Sequence, residues 1–443
     1  STRKESSAAS DVYKRQTVNS AADHLVGVDA SAWPGVAAPP HIRGAALRSK
    51  RAEAAFAKAA SQAGLALDGD EPALVVAHAD VFARIAASGW IGLAEGYLAG
   101  EWETADSDAL VAVLRGLIAA KYCPKTPRIS PSRAADELPA DLISHFSGDG
   151  VSPFQGHFST GVSTTQRELV KSFVRGAGRQ HEPAKHFVDV TEFATPLDAG
   201  RGDLSDAQAR SAAMLLDAVH AGTGIHLQIR PAAGSALAVA ASRRGATVDC
   251  VANSDQAAAE LREQLTFAGV ADAVRVETLG EAAHGAYDAI VSVEHLETLP
   301  EKAKGEFLRL LDNSLVPSGM VCIQTVVCVE RLPSAAVAAL ESLRAYIWPG
   351  LSFLTSHDIA KTTDRNTGLR IIAETRAPEH LAESLALQRR TFEGNLRDAA
   401  ADGFDVVYRR LWIWQLALRE ALAREGMLSL TQLTMVRRRR RGR

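Results

Sequence analysis

The sequence predicts an α/β protein: a mostly parallel, seven-stranded sheet covered by helices on both faces, preceded by a smaller α/β N-terminal domain. Three observations predict it. From Asp206 onward, apolar runs of strand length alternate with helix-patterned segments, the pattern of a parallel sheet with crossover helices. The stretch Ile225–Asp255, IHLQIRPAAGSALAVAASRRGATVDCVANSD, reads strand, turn, helix, strand, the opening of a nucleotide-binding unit. Upstream, residues 40–124 carry their own set of helices around one short strand.

Each element follows from its pattern. Arg51–Gly64 is alanine-rich with helical spacing and a glycine stop. PALVVAH (Pro72–His78) is a short strand. Asp80–Trp102 has aromatic and apolar residues at helical spacing, broken by glycines, and Asp106–Cys123 is a helix with an acidic start. Lys125–Thr160, rich in Pro, Ser, Gly and Asp, reads as a linker or long loop. The domain that follows, residues 161–436, opens with the helix AQARSAAMLLDAVH (Ala207–His220). Its strands are IHLQI, TVDCVA, AVRVETL, AYDAIVSVE and GMVCIQTVV, with helices over 234–245, 255–269 and 301–315 between them. Two long helical segments, 378–403 and 404–426, close it.

Composition bounds the function. Of 443 residues, 47 % are hydrophobic, ample for a core, and the net charge of −3 argues against a general nucleic-acid binder. Of the four cysteines, Cys123, Cys250, Cys322 and Cys328, no pair has zinc-ribbon spacing. Three lie in apolar runs, which points to buried thiols in a reducing compartment. No apolar run reaches the ~20 residues that cross a bilayer, and the polar start shows no signal peptide, so the expected location is cytoplasmic. Ser1–Gln16 has no periodicity and is set aside as a non-native or disordered segment. The basic tail, 437–443, is either a solvated end or an attraction to anionic lipid, at ~1 kcal/mol per basic residue.

Four blocks in order carry a family resemblance: GLAEGYLAGEWETADSDALVAVL (Gly92–Leu114), AYDAIVSVEHLETLP (Ala286–Pro300), LRAYIWPG (Leu343–Gly350), and the C-terminal pair EHLAESLALQRRTF and GFDVVYRRLWIWQLALREAL. Together they resemble the cyclopropane-fatty-acid synthase family, in particular its actinobacterial branch. The resemblance implies a Rossmann-like class I methyltransferase domain. It also implies S-adenosylmethionine (SAM) as methyl donor, a bound bicarbonate as base, and unsaturated phospholipid acyl chains as substrate, met at the inner membrane face.

The resemblance assigns residues, and several depart from the family pattern. Its SAM turn falls on Gln228, Arg230, Ala232 and Gly234, where only Gly234 keeps its glycine; Pro231 removes a further N–H. Arg230 either fills the methionine pocket or pairs with the SAM carboxylate. Ser254 and Asp255 stand at the ribose position and serve equally well as a helix cap. The segment that closes over SAM falls on 174–182 and Val190–Ala194, with Glu192 and Ala194 in place of tyrosine and cysteine. The bicarbonate positions are Glu294, His295, Gln324 and Gln415, with Arg419 in place of a cysteine. Leu411, Trp412, Trp414, Leu418 and Leu422 are either core or one wall of an acyl tunnel. Three readings stay open: a working methyl or methylene transferase; a catalytically silent relative acting as partner of an active homologous subunit or as a lipid-binding protein; and a site for another small anion at Arg230.

Overall fold

The computed structural model describes residues 23–41, 43–130, 137–174, 184–197, 200, 203–279 and 286–438. The segment 1–16, most of 174–182 and the last five residues of the basic tail lie outside these. The chain forms two compact units: Ser1–Ile129 with Pro333–Ala345 and Gly403–Leu418, and Ser130–Leu332 with Tyr346–Asp402 and Arg419–Arg443.

The first unit is helical around a minimal ladder. Strand β1 (Val75–Val76) pairs antiparallel with β2 (Trp102–Glu103). Helices Ala45–Gln62, Asp80–Ser88, Trp90–Ala99 and Ser107–Ala119 surround it. The last of these starts as its acidic signal predicts, with the Asp106 side chain accepting from Ala109 N. Gly92 lets two of the helices touch: a Cβ there would sit 2.1 Å from the Arg84 carbonyl oxygen. Trp90, Trp102 and Trp414 are fully buried, and each indole N–H has an acceptor: Tyr122 O, Leu93 O and Ser342 Oγ. Trp412 and Trp414, read as core or tunnel wall, are therefore core in this unit.

The second unit is built on a nine-stranded sheet. Its strands are β3 (Ser163–Lys171), β4 (Lys185–Phe193), β5 (His226–Ile229), β6 (Thr247–Ala252), β7 (Val274–Thr278), β8 (Tyr287–Val293), β9 (Leu315–Cys328), β10 (Leu369–Ala377) and β11 (Leu428–Arg437). Their order is β3-β4-β10-β11-β9-β8-β5-β6-β7. The five strands read from the sequence, β5 to β9, are parallel neighbours. β11 runs antiparallel between β9 and β10. These seven form the expected sheet, and the hairpin β3–β4 extends it beyond β10.

Side chains of β5 to β8 alternate between two apolar layers. Leu227, Ile229, Val248, Cys250, Ala289 and Val291 pack against helices Asp203–Ala218, Ser235–Arg243 and Asp255–Phe267. On the other layer Ile290, Val321, Ile323, Leu433 and Met435 pack against Phe307, Leu308, Leu311 and Ile359 of helices Glu301–Ser314 and Ser356–Asn366. Cys250, Cys322 and Cys328 are buried, as expected of thiols in apolar runs. The basic tail starts later than the sequence suggests. Arg437 closes β11 and donates to Asp312, and Arg438 N donates to Gly368 O, because both still have sheet and loop acceptors within reach.

Candidate functional site

The site lies at the C-terminal ends of β5, β6, β8 and β9, where a parallel sheet leaves a crevice. Residues 147–158 run across it. They come from the stretch read as a linker, which also holds the helix Ala140–Phe146, yet Ser152, Phe154, Gln155 and His157 are buried. Polar side chains hold this strap by its backbone. Gln208 Nε2 donates to Ser152 O and Phe154 O, each at 2.9 Å, and Gly148 N donates to Gln208 Oε1 at 3.0 Å. Gly156 N donates to Ser384 Oγ, and Phe158 N to His380 Nδ1.

Glu294 is the centre of the site. It follows β8 with φ 48°, a left-handed conformation costly for a side-chain-bearing residue. Its N–H donates to Gln324 O at 2.7 Å. Its Oε1 accepts from Gln155 N at 2.7 Å and from Gln324 Nε2 at 3.0 Å. Gln324 Nε2 also donates to Gln155 O, and Gln324 Oε1 accepts from Gln432 Nε2 at 2.9 Å. Burial, with Glu297 close by, pushes the Glu294 carboxyl up to about 7; Arg419 opposes this only in part. Glu297 is raised too, chiefly by burial, although Thr325 Oγ1 and Val326 N donate to it at 2.7 and 3.0 Å. The Arg419 guanidinium lies 5.6 Å over the Trp348 ring.

The remaining predicted residues divide. His295 does not bond to Glu294 among the described residues. Its ring stands edge-on to Phe307 at 4.9 Å, and burial lowers it to about 4. Gln415 is buried in the part of helix Val406–Arg424 that belongs to the first unit, with Oε1 lacking a hydrogen-bond partner among the described residues. Gln228 is fully buried within β5, beside Tyr287. Val190–Phe193 belong to β4, with Val190 in the core.

The turn after β5 is committed locally. Arg230 N donates to Val291 O and Ala232 N to Val251 O. Gly234, at φ 76°, lies so close to the strap that a Cβ would sit 1.9 Å from Val151 O. The Arg230 side chain is 9 % exposed and makes no hydrogen bond among the described residues. After β6, Ser254 Oγ caps its helix by accepting from Ala257 N, and Asp255 is exposed in the first turn.

Two participants escaped the sequence. Glu137 reaches the end of β6, where its Oε2 accepts from Asn253 N at 3.0 Å while the buried Oε1 has no partner; burial pushes it up to about 7. His157 is enclosed, its Nδ1 2.6 Å from Ser211 Oγ and its Nε2 unpartnered; burial lowers it to about 3. The pattern Gln155-Gly156-His157-Phe158, placing two polar side chains beside a glycine and an aromatic, was the available signal.

A sheet of this order, with a crevice at the ends of β5, β6 and β8, defines a class I methyltransferase fold. Coclaurine N-methyltransferase bound to N-methylheliamine and SAH shares it, with a TM-score of 0.55 at 11 % identity over 80 % of this chain and 99 % of that one. A family model described as Mycolic acid cyclopropane synthetase matches residues 188–433, and the chain belongs to that family. The chain is 26 % identical to Tuberculostearic acid methyltransferase UfaA1 of Mycobacterium tuberculosis over 444 residues, 95 % of this chain and 99 % of that protein. The cyclopropane synthase MmaA2 of the same organism aligns with a TM-score of 0.47 at 19 % identity, over 52 % of this chain and 85 % of that one.

The residues at the crevice fit a SAM-like group through an altered donor set. A carboxylate acceptor with a spare oxygen, Glu137, stands at the end of β6, where a ribose diol would be met. A guanidinium without a hydrogen-bond partner among the described residues, Arg230, stands where a glycine turn would otherwise meet an amino-acid carboxylate.

Proposed function

We propose that this chain is a SAM-dependent methyl or methylene transferase acting on unsaturated acyl chains of phospholipids. The observation that carries the reading is Glu294, a buried, backbone-strained carboxyl poised near neutrality at the end of β8 in a chain of this family. When bound, SAM supplies an electrophilic methyl group. Arg230 would hold its carboxylate, and Glu137 with Ser254 its ribose. Methylation of a double bond leaves a cation on the acyl chain that must lose a proton. Glu294 accepts that proton, because a base with a pKa near the working pH combines availability with driving force. The strap and the buried glutamines keep water from the cation. We assign no bicarbonate to the step: Glu294 Oε1 and both Gln324 side-chain atoms are already engaged with Gln155 and Gln432.

A second reading is favoured by one contact. If Val151 stays seated on Gly234 and Arg230 stays in the turn, the crevice is closed, and the chain is a silent relative serving as partner subunit or lipid-binding protein. Thermal unfolding with and without millimolar SAM or its demethylated product separates the two. Ligand at 100 times its Kd stabilises by ~2.7 kcal/mol. A dose-dependent rise supports the transferase, and an unmoved transition in a well-folded sample supports the silent relative.

The acyl substrate implies contact with a lipid surface, and the hairpin β3–β4 suits it. Leu169 and Phe187 are cross-strand neighbours, 53 % and 56 % exposed, with Lys171, Lys185 and the ion pair Arg167–Asp189 on the same face. Apolar side chains beside a net excess of cations complement an anionic membrane. Among the described residues no helix is long and apolar enough to cross a membrane.

A further inference from the structure

We propose that His24, Asp80 and Glu101, all in the first unit, form a binding site for a divalent transition-metal cation. Three separated pieces of sequence bring them together. His24 sits in the 3-10 turn Asp23–Leu25, Asp80 opens the helix Asp80–Ser88, and Glu101 follows Gly100 just before β2. One ligand atom from each residue lies within 4.8 Å of the other two.

The imidazole points to a ligand rather than to a hydrogen-bonded cluster. His24 is 11 % exposed in its side chain, and neither ring nitrogen makes a hydrogen bond among the described residues. Leaving such a buried group unsatisfied forfeits its solvation without return. Its Nε2 lies 3.5 Å from Glu101 Oε1. That is long for a charge-assisted hydrogen bond. It matches the edge of a tetrahedron around a metal, about 3.4 Å for bonds of about 2.1 Å.

The surroundings hold the ligands as outer partners of metal sites do. Arg84 Nε donates to both Glu101 oxygens, at 2.8 and 3.0 Å, which fixes the carboxylate plane. Arg84 is itself anchored by donating to Gly35 O and Val36 O, at 2.6 and 2.8 Å. The His78 ring stacks on His24 at 3.8 Å, fixing the imidazole plane. One nitrogen and two carboxylate oxygens, with no thiolate, suit zinc, manganese or ferrous iron better than copper(I). Three protein ligands leave a fourth position for water.

The site belongs to the first unit and uses none of the residues assigned to the chemistry of the second, so it is tested on its own. The full chain is stripped with a chelator, dialysed, and titrated with Zn2+ and Mn2+ by calorimetry, with elemental analysis after desalting. The expected result is one ion per chain, with affinity reduced about 100-fold in Asp80→Asn and in His24→Gln. Both side chains are near the surface, and circular dichroism checks that each variant folds. If either does not, Co2+ loading of the wild-type chain replaces it, and the visible bands of a four-coordinate nitrogen and oxygen site are expected. No stoichiometric ion on the wild-type chain overturns the proposal. So does binding that both folded variants retain, or cobalt bands showing sulfur ligation.

Discussion

Replacing Gly234 by alanine tests whether the strap closes the turn as described. Two costs add. The backbone has φ 76° and ψ 177°, a region essentially restricted to glycine, so a side chain there costs about 1–3 kcal/mol. The new Cβ would also sit 1.9 Å from Val151 O, so the strap must retreat by more than an ångström. Retreat strains bonds that fix it: Val151 N and Ser152 N to Asp149 Oδ1, at 3.0 and 2.8 Å, and Gln208 Nε2 to Ser152 O at 2.9 Å. Losing one of these in a buried setting costs about 1–3 kcal/mol more. The expected total is about 2–6 kcal/mol. Urea unfolding followed by far-ultraviolet circular dichroism reads it as a midpoint lowered by roughly 0.7–2 M, for a slope of about 3 kcal/mol per molar. Tryptophan fluorescence is the weaker probe, because five of the six tryptophans belong to the first unit. A variant that unfolds within about 0.5 kcal/mol of wild type would refute the seating of the strap on Gly234.

Other consequences follow from the same geometry. The Glu294 carboxyl holds its proton up to about 7 in the folded chain but releases it near 4.5 when unfolded, so its contribution is complete below 4.5 and lost as the pH rises through 7. Glu294→Gln should flatten that decline, and urea unfolding at pH 5 and pH 8 showing equal slopes in both proteins would count against it. Arg389 Nε bonds to Glu420 Oε2 at 2.9 Å with both side chains buried, so Glu420→Ala should cost about 3–5 kcal/mol, seen as a lower melting temperature. Arg230→Ala should abolish a SAM-induced thermal shift; a shift that persists would show that the guanidinium does not hold the carboxylate. Leu169→Ser with Phe187→Ser should reduce sedimentation with anionic vesicles several-fold, and unchanged sedimentation would move the lipid contact elsewhere.

The strands β5 to β9 were legible because each is a continuous apolar run bounded by turn residues, the mark of a strand buried on both faces. β11 was not, although it is central. Its Thr431, Gln432 and Thr434 are buried polar residues satisfied by long-range partners, such as Gln324 for Gln432, and no local pattern announces that. β3 escaped for the opposite reason: as an edge strand it is exposed along most of its length and reads as a loop. At the site, Glu294 and Gln324 were placed together from the resemblance, and the structure joins them by a hydrogen bond. Glu137 and His157 were invisible because both lie in the stretch 125–160, which looks like a linker in composition; Glu137 precedes the helix Ala140–Phe146, and His157 is carried by the strap. Only the buried partners Gln208, Ser211, Ser384 and Gln388 reveal that it is packed.

β11 also bears on how the second unit assembles. It follows the other eight strands in the chain, yet lies between β9 and β10 and supplies the hydrogen bonds to both. Until it arrives, the sheet exists as two separate fragments, β3-β4-β10 on one side and β9-β8-β5-β6-β7 on the other, each with an open apolar edge. During synthesis the unit therefore waits for residues 428–437, and both fragments are exposed to mispairing in the interval. A stop codon before Leu428 would split the sheet at its middle, where a comparable deletion of β3 would only trim its rim.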